Sequence, residues 1–459
     1  MDAHDTRRVA AGGKRYLKPA STLALGFLGI ILAGAALLTL PQAAKSRQSV
    51  GWLTALFTAT SATCVTGLTV VDTYTAFSLF GQIVIICLIQ VGGLGFMLFA
   101  TTALVALGRR ITLHNRMLLR ETMSMPGLSG GVRTALRFML TAFLVELAGM
   151  LLLALRFVPM YGVAGGLYYS LFHAVSAFCN AGFDLFGQAG SLTQFGSDPH
   201  VLLTISGLII IGGIGFAVIN DVFTARFKWR AFALHTKVVL AATTLLLLGG
   251  MVMFAVIEWG NAGTLAAGGS AWGDRLLGAW FQSVTTRTAG FYSYNQAQMT
   301  DASKMVSTVL MLIGASPAST GGGVKTSTLF VVMVILVSVL RGREDYEAFG
   351  RRLPKQIART AHTVLFIYIM LMVLGAIALS LLEQGRFSMV DLLFEEASAL
   401  GTVGLSALGT QSLGSGSRLI LILFMYFGRV GPLTMMLTFS KADKKPDMIH
   451  YPEEGVLIG

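Results

Sequence analysis

Apolar residues run in long blocks at Ser21–Leu40, Gln82–Leu107, Thr134–Val158, Val201–Val222, Val238–Ile257, Lys325–Leu340, Thr363–Leu382 and Leu419–Phe439. A helix needs about 20 mostly apolar residues to cross a ~30 Å hydrocarbon core, so these runs predict eight spanning helices. Between the members of each pair lies a shorter amphipathic stretch that ends in glycine-containing sequence. Four such stretches align: Trp52–Leu68, Tyr168–Phe183, Leu276–Phe291 and Val390–Leu405. In each, an aromatic residue precedes a glycine by ten positions: Phe57 and Gly67, Phe172 and Gly182, Trp280 and Gly290, Phe394 and Gly404. The glycines follow one another at intervals of 115, 108 and 114 residues, the mark of an internal repeat.

About 12 helical residues are too few to cross a bilayer. A short helix that enters the membrane and returns as extended chain fits these stretches, and such backbone is tolerated only where protein or a water-filled cavity surrounds it. The predicted fold class is therefore an all-α membrane protein. It has four tandem repeats of spanning helix, re-entrant pore segment and spanning helix around one pore. The repeats occupy residues 21–107, 134–224, 238–340 and 360–440. A basic tail (1–20), linkers (108–133, 225–237, 341–359) and a C-terminal tail (441–459) flank them.

Composition agrees: 54% hydrophobic and 12% charged residues, against about 25% charged in soluble domains. The net charge of +12 does not point to nucleic acid, because 24 of the 34 Lys and Arg residues lie in five segments. These are Arg7 to Lys18, Arg109–Arg137, Arg226–Lys237, Arg341–Arg359 and Lys441–Lys445. The positive-inside rule makes all five cytoplasmic, with both termini inside. The first apolar run is too long for a signal peptide and lacks a cleavage site. Cys64, Cys87 and Cys179 have no metal-ligand spacing and are expected as free thiols.

Candidate chemistry lies in the four glycine segments. Potassium gives up its water where rings of backbone carbonyls replace it, and glycine reaches the positive φ that such carbonyls can require. The predicted ion-binding residues are Val65, Thr66, Gly67 and Leu68; Asn180, Ala181, Gly182 and Phe183; Thr288, Ala289, Gly290 and Phe291; and Thr402, Val403, Gly404 and Leu405. Their side chains differ between repeats, as selection by backbone permits. No acidic residue stands in these segments; Asp72 and Asp184, just outside, either concentrate cations at the mouth or are ordinary loop charges. The short helices bring the negative ends of their dipoles to the site, which disfavours anions.

The second helices carry glycines at their centres: Gln90–Phe96, Ile211–Phe216, Gly314–Thr326 and Gly428–Pro432. Close packing accounts equally well for the first two. Gly314–Gly323 holds four glycines and a proline, too many for a stable helix, and is predicted to be a loop within the membrane. Its Gly314, Ala315, Ser316, Thr320, Gly321, Gly322, Gly323 and Lys325, with Arg429, are the candidate gate. Arg429 sits mid-span, where charge is costly and functional by default. Lys325 has the alternative of snorkelling to the cytoplasmic interface. Arg287 is expected to brace the third segment, and Glu146, mid-helix, needs a partner the sequence does not identify. Ser319–Thr326 is a poor phosphate-loop match without a parallel sheet, and no metalloprotease or serine-hydrolase motif occurs.

Four helix–pore–helix repeats, one glycine in each pore segment, an intramembrane loop in the third repeat and an arginine in the last helix resemble the Trk/Ktr/HKT superfamily of potassium transport proteins. Within it the chain looks like the bacterial Ktr membrane subunit (KtrB) branch, because it starts with one short basic tail and ends Tyr451–Gly459. The resemblance implies potassium uptake, filter glycines at 67, 182, 290 and 404, and a gate loop at 314–323 with Arg429 as its partner. It further implies a homodimer in the bacterial inner membrane, docked on a cytosolic KtrA-like ring that senses ATP and ADP, with no nucleotide on this chain. In HKT relatives a serine at the first glycine favours sodium; Gly67 favours potassium. A sodium-coupled or sodium-carrying porter of the same architecture is the alternative.

Overall fold

The computed structural model describes residues 19–106, 131–187, 190–343 and 345–431. The N-terminal basic tail, most of the 108–133 linker, Pro432 and the C-terminal tail to Gly459 lie outside the described residues.

The chain is mostly helical, and a long helix, a short helix and a broken second helix recur along it. The first set is α1 (Pro19–Thr39), α2 (Trp52–Cys64), α3 (Leu79–Leu94) and α4 (Phe96–Ala106). The second comprises α5 (Gly131–Phe178), α6 (Pro199–Ile214) and α7 (Phe216–Thr224). The third has α8 (Leu234–Glu258), α9 (Trp272–Thr285), α10 (Asp301–Ile313) and α11 (Thr326–Leu340). The fourth has α12 (Lys355–Glu383), α13 (Met389–Leu400) and α14 (Ser415–Val430). α5 counts as one helix by hydrogen bonding, but Gly162 within it has φ 75°. Gly166 lies against the backbone of Phe157 and Val158, so the chain doubles back there.

Local chemistry sets the helix starts. Ser78, Asp198, Thr300 and Ser388 cap α3, α6, α10 and α13 by accepting N–H groups of the first turn, satisfying donors that a helix start leaves open.

Four helices are long and apolar enough to cross a membrane among the described residues, or six if each of two bent pairs is one crossing. This is fewer than the eight continuous spans predicted, for three reasons. The Gln82–Leu107 run bends by 94° between α3 and α4, and the Val201–Val222 run by 92° between α6 and α7. The third-repeat run holds only the 15-residue α11, because residues 314–325 carry no helix. Beyond Gly431, the Leu419–Phe439 run lies outside the described residues.

The second helices of the first three sets break, and that of the fourth ends, at equivalent points with nearly the same backbone. Gly95 has φ 88° and ψ 127°, Gly215 96° and 145°, and Gly431 89° and 126°. Lys325 takes the same conformation, φ 83° and ψ 134°, with a side chain where the others have none. Burial is inverted relative to a water-soluble protein. Leu155, Leu245 and Leu381 on the outer faces are 69–73% exposed, while Thr58, Ser61, Ser176, Gln282 and Ser398 are buried at the centre.

Candidate functional site

Each short helix ends in the same device. Val65, Asn180, Thr288 and Thr402 take positive φ between 52° and 73°, stopping the helix in the left-handed conformation typical of C-terminal caps. Two residues on, Gly67, Gly182, Gly290 and Gly404 have φ of 92°, 69°, 78° and 97°.

These glycines meet in a ring that closes in chain order. A Cβ added to Gly67 would overlap Ala181 O; one on Gly182 would stand 2.6 Å from Ala289 O and 2.8 Å from Gly290 Cα. One on Gly290 would stand 2.5 Å from Val403 O, and one on Gly404 would overlap Thr66 O, 2.9 Å from Gly67 Cα. The backbone conformation and the crowding both require glycine. Ala181, Ala289, Val403 and Thr66 thus each set a carbonyl against the preceding glycine of the ring. All four residues are fully buried. Among the described residues, none of these four oxygens accepts a hydrogen bond. Buried carbonyls are nearly always paired, so four unpaired ones in a ring form an array ready for a cation.

Side chains hold the segments by their other groups. Gly67 N–H donates to Ser61 Oγ and Gly404 N–H to Ser398 Oγ, both at 3.0 Å. Ser176 Oγ donates to Phe183 O at 2.7 Å and Thr285 Oγ1 to Phe291 O at 2.5 Å. The loops beyond are braced by His173, whose Nε2 accepts Leu185 N–H, and by Glu395, which accepts from Ser406 and Thr410. Neither brace was visible in the sequence, although His173 and Glu395 each follow the aromatic residue that lies ten before the glycine.

On one side of the ring opens a vestibule of about 790 Å³, lined by all four glycines, Asp72 and Asp184. Asp72 accepts from Thr75 N–H and Oγ1, and Asp184 from Phe186 N–H at 3.0 Å. Burial pushes the Asp184 carboxyl up to about 7, with nearby Asp72 adding to the rise and the Phe186 N–H opposing it.

Against the other side sits the 314–325 loop. Ser316 and Thr320 N–H donate to Gly213 and Gly212 O of α6 at 3.1 and 3.3 Å. Thr320 Oγ1 donates to Phe178 O at 3.3 Å, Gly322 N–H to Thr402 Oγ1 at 3.1 Å, and Tyr368 Oη to Gly323 O at 3.1 Å. Ala315 and Gly322 close the loop on itself through an N–H to carbonyl bond of 3.2 Å.

Arg429 ties this loop to the first repeat. It donates to Thr320 O and to Gly92 O, and to Gly93 O at 3.0 Å. Lys325 Nζ turns back to Gly321 O at 2.5 Å rather than reaching outward. Arg287 is buried, and its Nη2 lies 3.5 Å from Gly314 O at the start of the loop. Glu146 finds its partner in Gln90, whose Nε2 donates to both carboxylate oxygens at 2.9 Å. Cys179 beside the second segment completes that group, with Sγ 3.5 Å from Gln90 Oε1.

The glycines at the second-helix centres also pack. A side chain at Gly92, Gly212 or Gly428 would overlap the carbonyl of Thr63, Phe178 or Leu400 at the end of a short helix.

The chain is similar to known proteins over most of its length. The family model described as TrkH, cation transport protein, matches residues 28–451. The chain is 41% identical to the Ktr system potassium uptake protein B of Bacillus subtilis (strain 168), covering 96% of this chain and 97% of that one. It is 37% identical to the potassium/sodium uptake protein NtpJ of Enterococcus hirae, covering 97% and 98%. The crystal structure of the potassium transporter TrkH from Vibrio parahaemolyticus shares the fold, with TM-score 0.67 and 18% identity over 91% of this chain and 85% of that one. These relatives are transport proteins and not enzymes. The chain is a multi-pass membrane protein that belongs to the TrkH family of cation transport proteins.

Proposed function

We propose that the chain is the potassium-selective, pore-forming subunit of a bacterial Ktr-type uptake system, and that ions pass through the ring at Gly67, Gly182, Gly290 and Gly404. The observation that carries this reading is the four buried carbonyl oxygens of Thr66, Ala181, Ala289 and Val403, none of which accepts a hydrogen bond among the described residues. Fixed oxygens of this kind replace the hydration shell of a cation. The four short helices end three to five residues before the glycines and add the negative ends of their dipoles.

In this reading the vestibule faces outward and Asp72 and Asp184 raise the local cation concentration. The 314–325 loop with Arg429 is the gate, and its docked position closes the path below the ring. The basic segments face the cytoplasm, where a KtrA-like nucleotide-binding ring docks on a homodimer in the inner membrane. ATP binds the ring and not this chain. One relative is named a potassium/sodium uptake protein, so sodium is the competing cargo.

The test is growth of a potassium-uptake-deficient bacterium on low potassium, with rubidium uptake measured with and without sodium, for wild type and Gly67→Ser. Rescue by wild type and at least a tenfold fall in rubidium over sodium preference in Gly67→Ser support the reading. Rubidium uptake that requires sodium favours a coupled porter, and failure of rescue despite membrane insertion contradicts potassium uptake.

A further inference from the structure

The residues two before the ring glycines face away from the vestibule, and they are not equivalent chemically. Val65 offers no oxygen, whereas Asn180, Thr288 and Thr402 each bring one, and all four are fully buried. The Asn180 amide is satisfied at both ends when Nδ2 donates to Ala177 O at 3.1 Å and Ile209 O at 3.2 Å while Oδ1 accepts from Thr288 Oγ1 at 3.1 Å.

The 314–325 loop lies against two of these groups, Thr288 and Thr402. Gly322 N–H donates to Thr402 Oγ1 at 3.1 Å. A side chain at Gly321 would overlap Thr288 Oγ1, and one at Gly322 would overlap Thr402 Oγ1. Bare glycine backbone is therefore what lets the loop reach both hydroxyls.

A cation leaving the carbonyl ring has to be met by further oxygens or by water. Uncharged hydroxyl and amide oxygens suit a monovalent ion, because divalent ions call for carboxylates. We propose that Asn180 Oδ1, Thr288 Oγ1 and Thr402 Oγ1 form an inner site for a partly dehydrated monovalent cation, and that the docked loop and this cation compete for Thr402 Oγ1 and for the space beside Thr288 Oγ1.

The inference rests on the reading of the ring as the ion path and adds a coupling to it. At Thr402 Oγ1 the loop presents an N–H, the positive end of a dipole, where the cation would present its charge, so the two repel each other there. A cation that binds only when the loop has left favours the undocked state in proportion to its concentration. By reciprocity, a loop held down lowers affinity at the inner site by the same factor. Arg429 and Lys325, bonded to Thr320 O and Gly321 O, add positive charge to the docked loop.

The experiment follows loop undocking through the labelling rate of Ala318→Cys by a charged methanethiosulfonate. It uses the full chain with Cys87→Ser, because Cys87 is exposed while Cys64 and Cys179 are buried. Rubidium uptake by the same preparations in proteoliposomes is measured alongside. The labelling rate is expected to rise saturably, at least fivefold, when choline is replaced by potassium. Thr402→Val should label fast in choline and lose the response to potassium, and Thr402→Ser, which keeps the hydroxyl, should restore it. A rate indifferent to potassium in a chain that still takes up rubidium overturns the inference and leaves the pore reading intact, as does a potassium response that survives Thr402→Val. Absence of rubidium uptake from every preparation overturns both.

Discussion

Lys325 holds a backbone conformation that the other repeats assign to glycine, and replacing it separates two opposing energies. At φ 83° and ψ 134° a residue with a Cβ is strained, at a cost of about 1–3 kcal/mol. Against this stands the bond from Nζ to Gly321 O; hydrogen bonds from charged groups contribute roughly 1.5–3 kcal/mol. The two nearly cancel in the wild type. Lys325→Ala keeps the strain and loses the bond, so it should be destabilised by roughly 1.5–3 kcal/mol. Lys325→Gly loses both and should fall within about 1 kcal/mol of wild type, the flexibility of glycine in the unfolded chain offsetting part of the relief. Thermal unfolding of the purified full chain, read by intrinsic fluorescence, should rank Lys325→Gly near wild type and above Lys325→Ala. Both variants should take up rubidium faster, because the loop has lost a tie. Equal Tm values for the two variants, or a glycine variant less stable than the alanine one, would refute the strain argument.

Other substitutions probe the neighbouring contacts. Arg429→Ala removes the bonds that join Thr320 O to Gly92 O and Gly93 O and should raise rubidium uptake several-fold while leaving ion preference unchanged, as competition with sodium would read. Asp184→Asn should raise the rubidium concentration needed for half-maximal uptake, and the difference should shrink as ionic strength screens the vestibule. Glu146→Leu strands the Gln90 amide and should cost about 1–3 kcal/mol in thermal stability, whereas Glu146→Gln, which keeps an acceptor, should cost less.

The sequence exposed what depends on residue type at fixed spacing. Gly67, Gly182, Gly290 and Gly404 stand out because few other residues tolerate their φ, and they lie together in one ring. The break in the third repeat was visible from its glycines and proline. The bends at Gly95 and Gly215 were not, since a glycine inside an apolar run reads equally as close packing; Gly92 and Gly212 do pack, while the bend falls three residues later. The conformation of Lys325, though not the residue itself, was hidden because nothing in a lysine announces a left-handed backbone. Gln90, the partner of Glu146, stands 56 positions away, a distance only the packing of α3 against α5 resolves. The bends inside two of the apolar runs were hidden for a related reason: hydropathy measures apolar length and is blind to a turn of about 90°.

The most direct test of the central claim is anomalous diffraction from crystals of the full chain grown in rubidium. The account predicts a rubidium peak on the axis of the ring, within coordination distance of the Thr66, Ala181, Ala289 and Val403 carbonyl oxygens, and its loss in Gly67→Ser. Rubidium bound elsewhere in the protein, with the ring empty in a chain that transports it, would contradict the account.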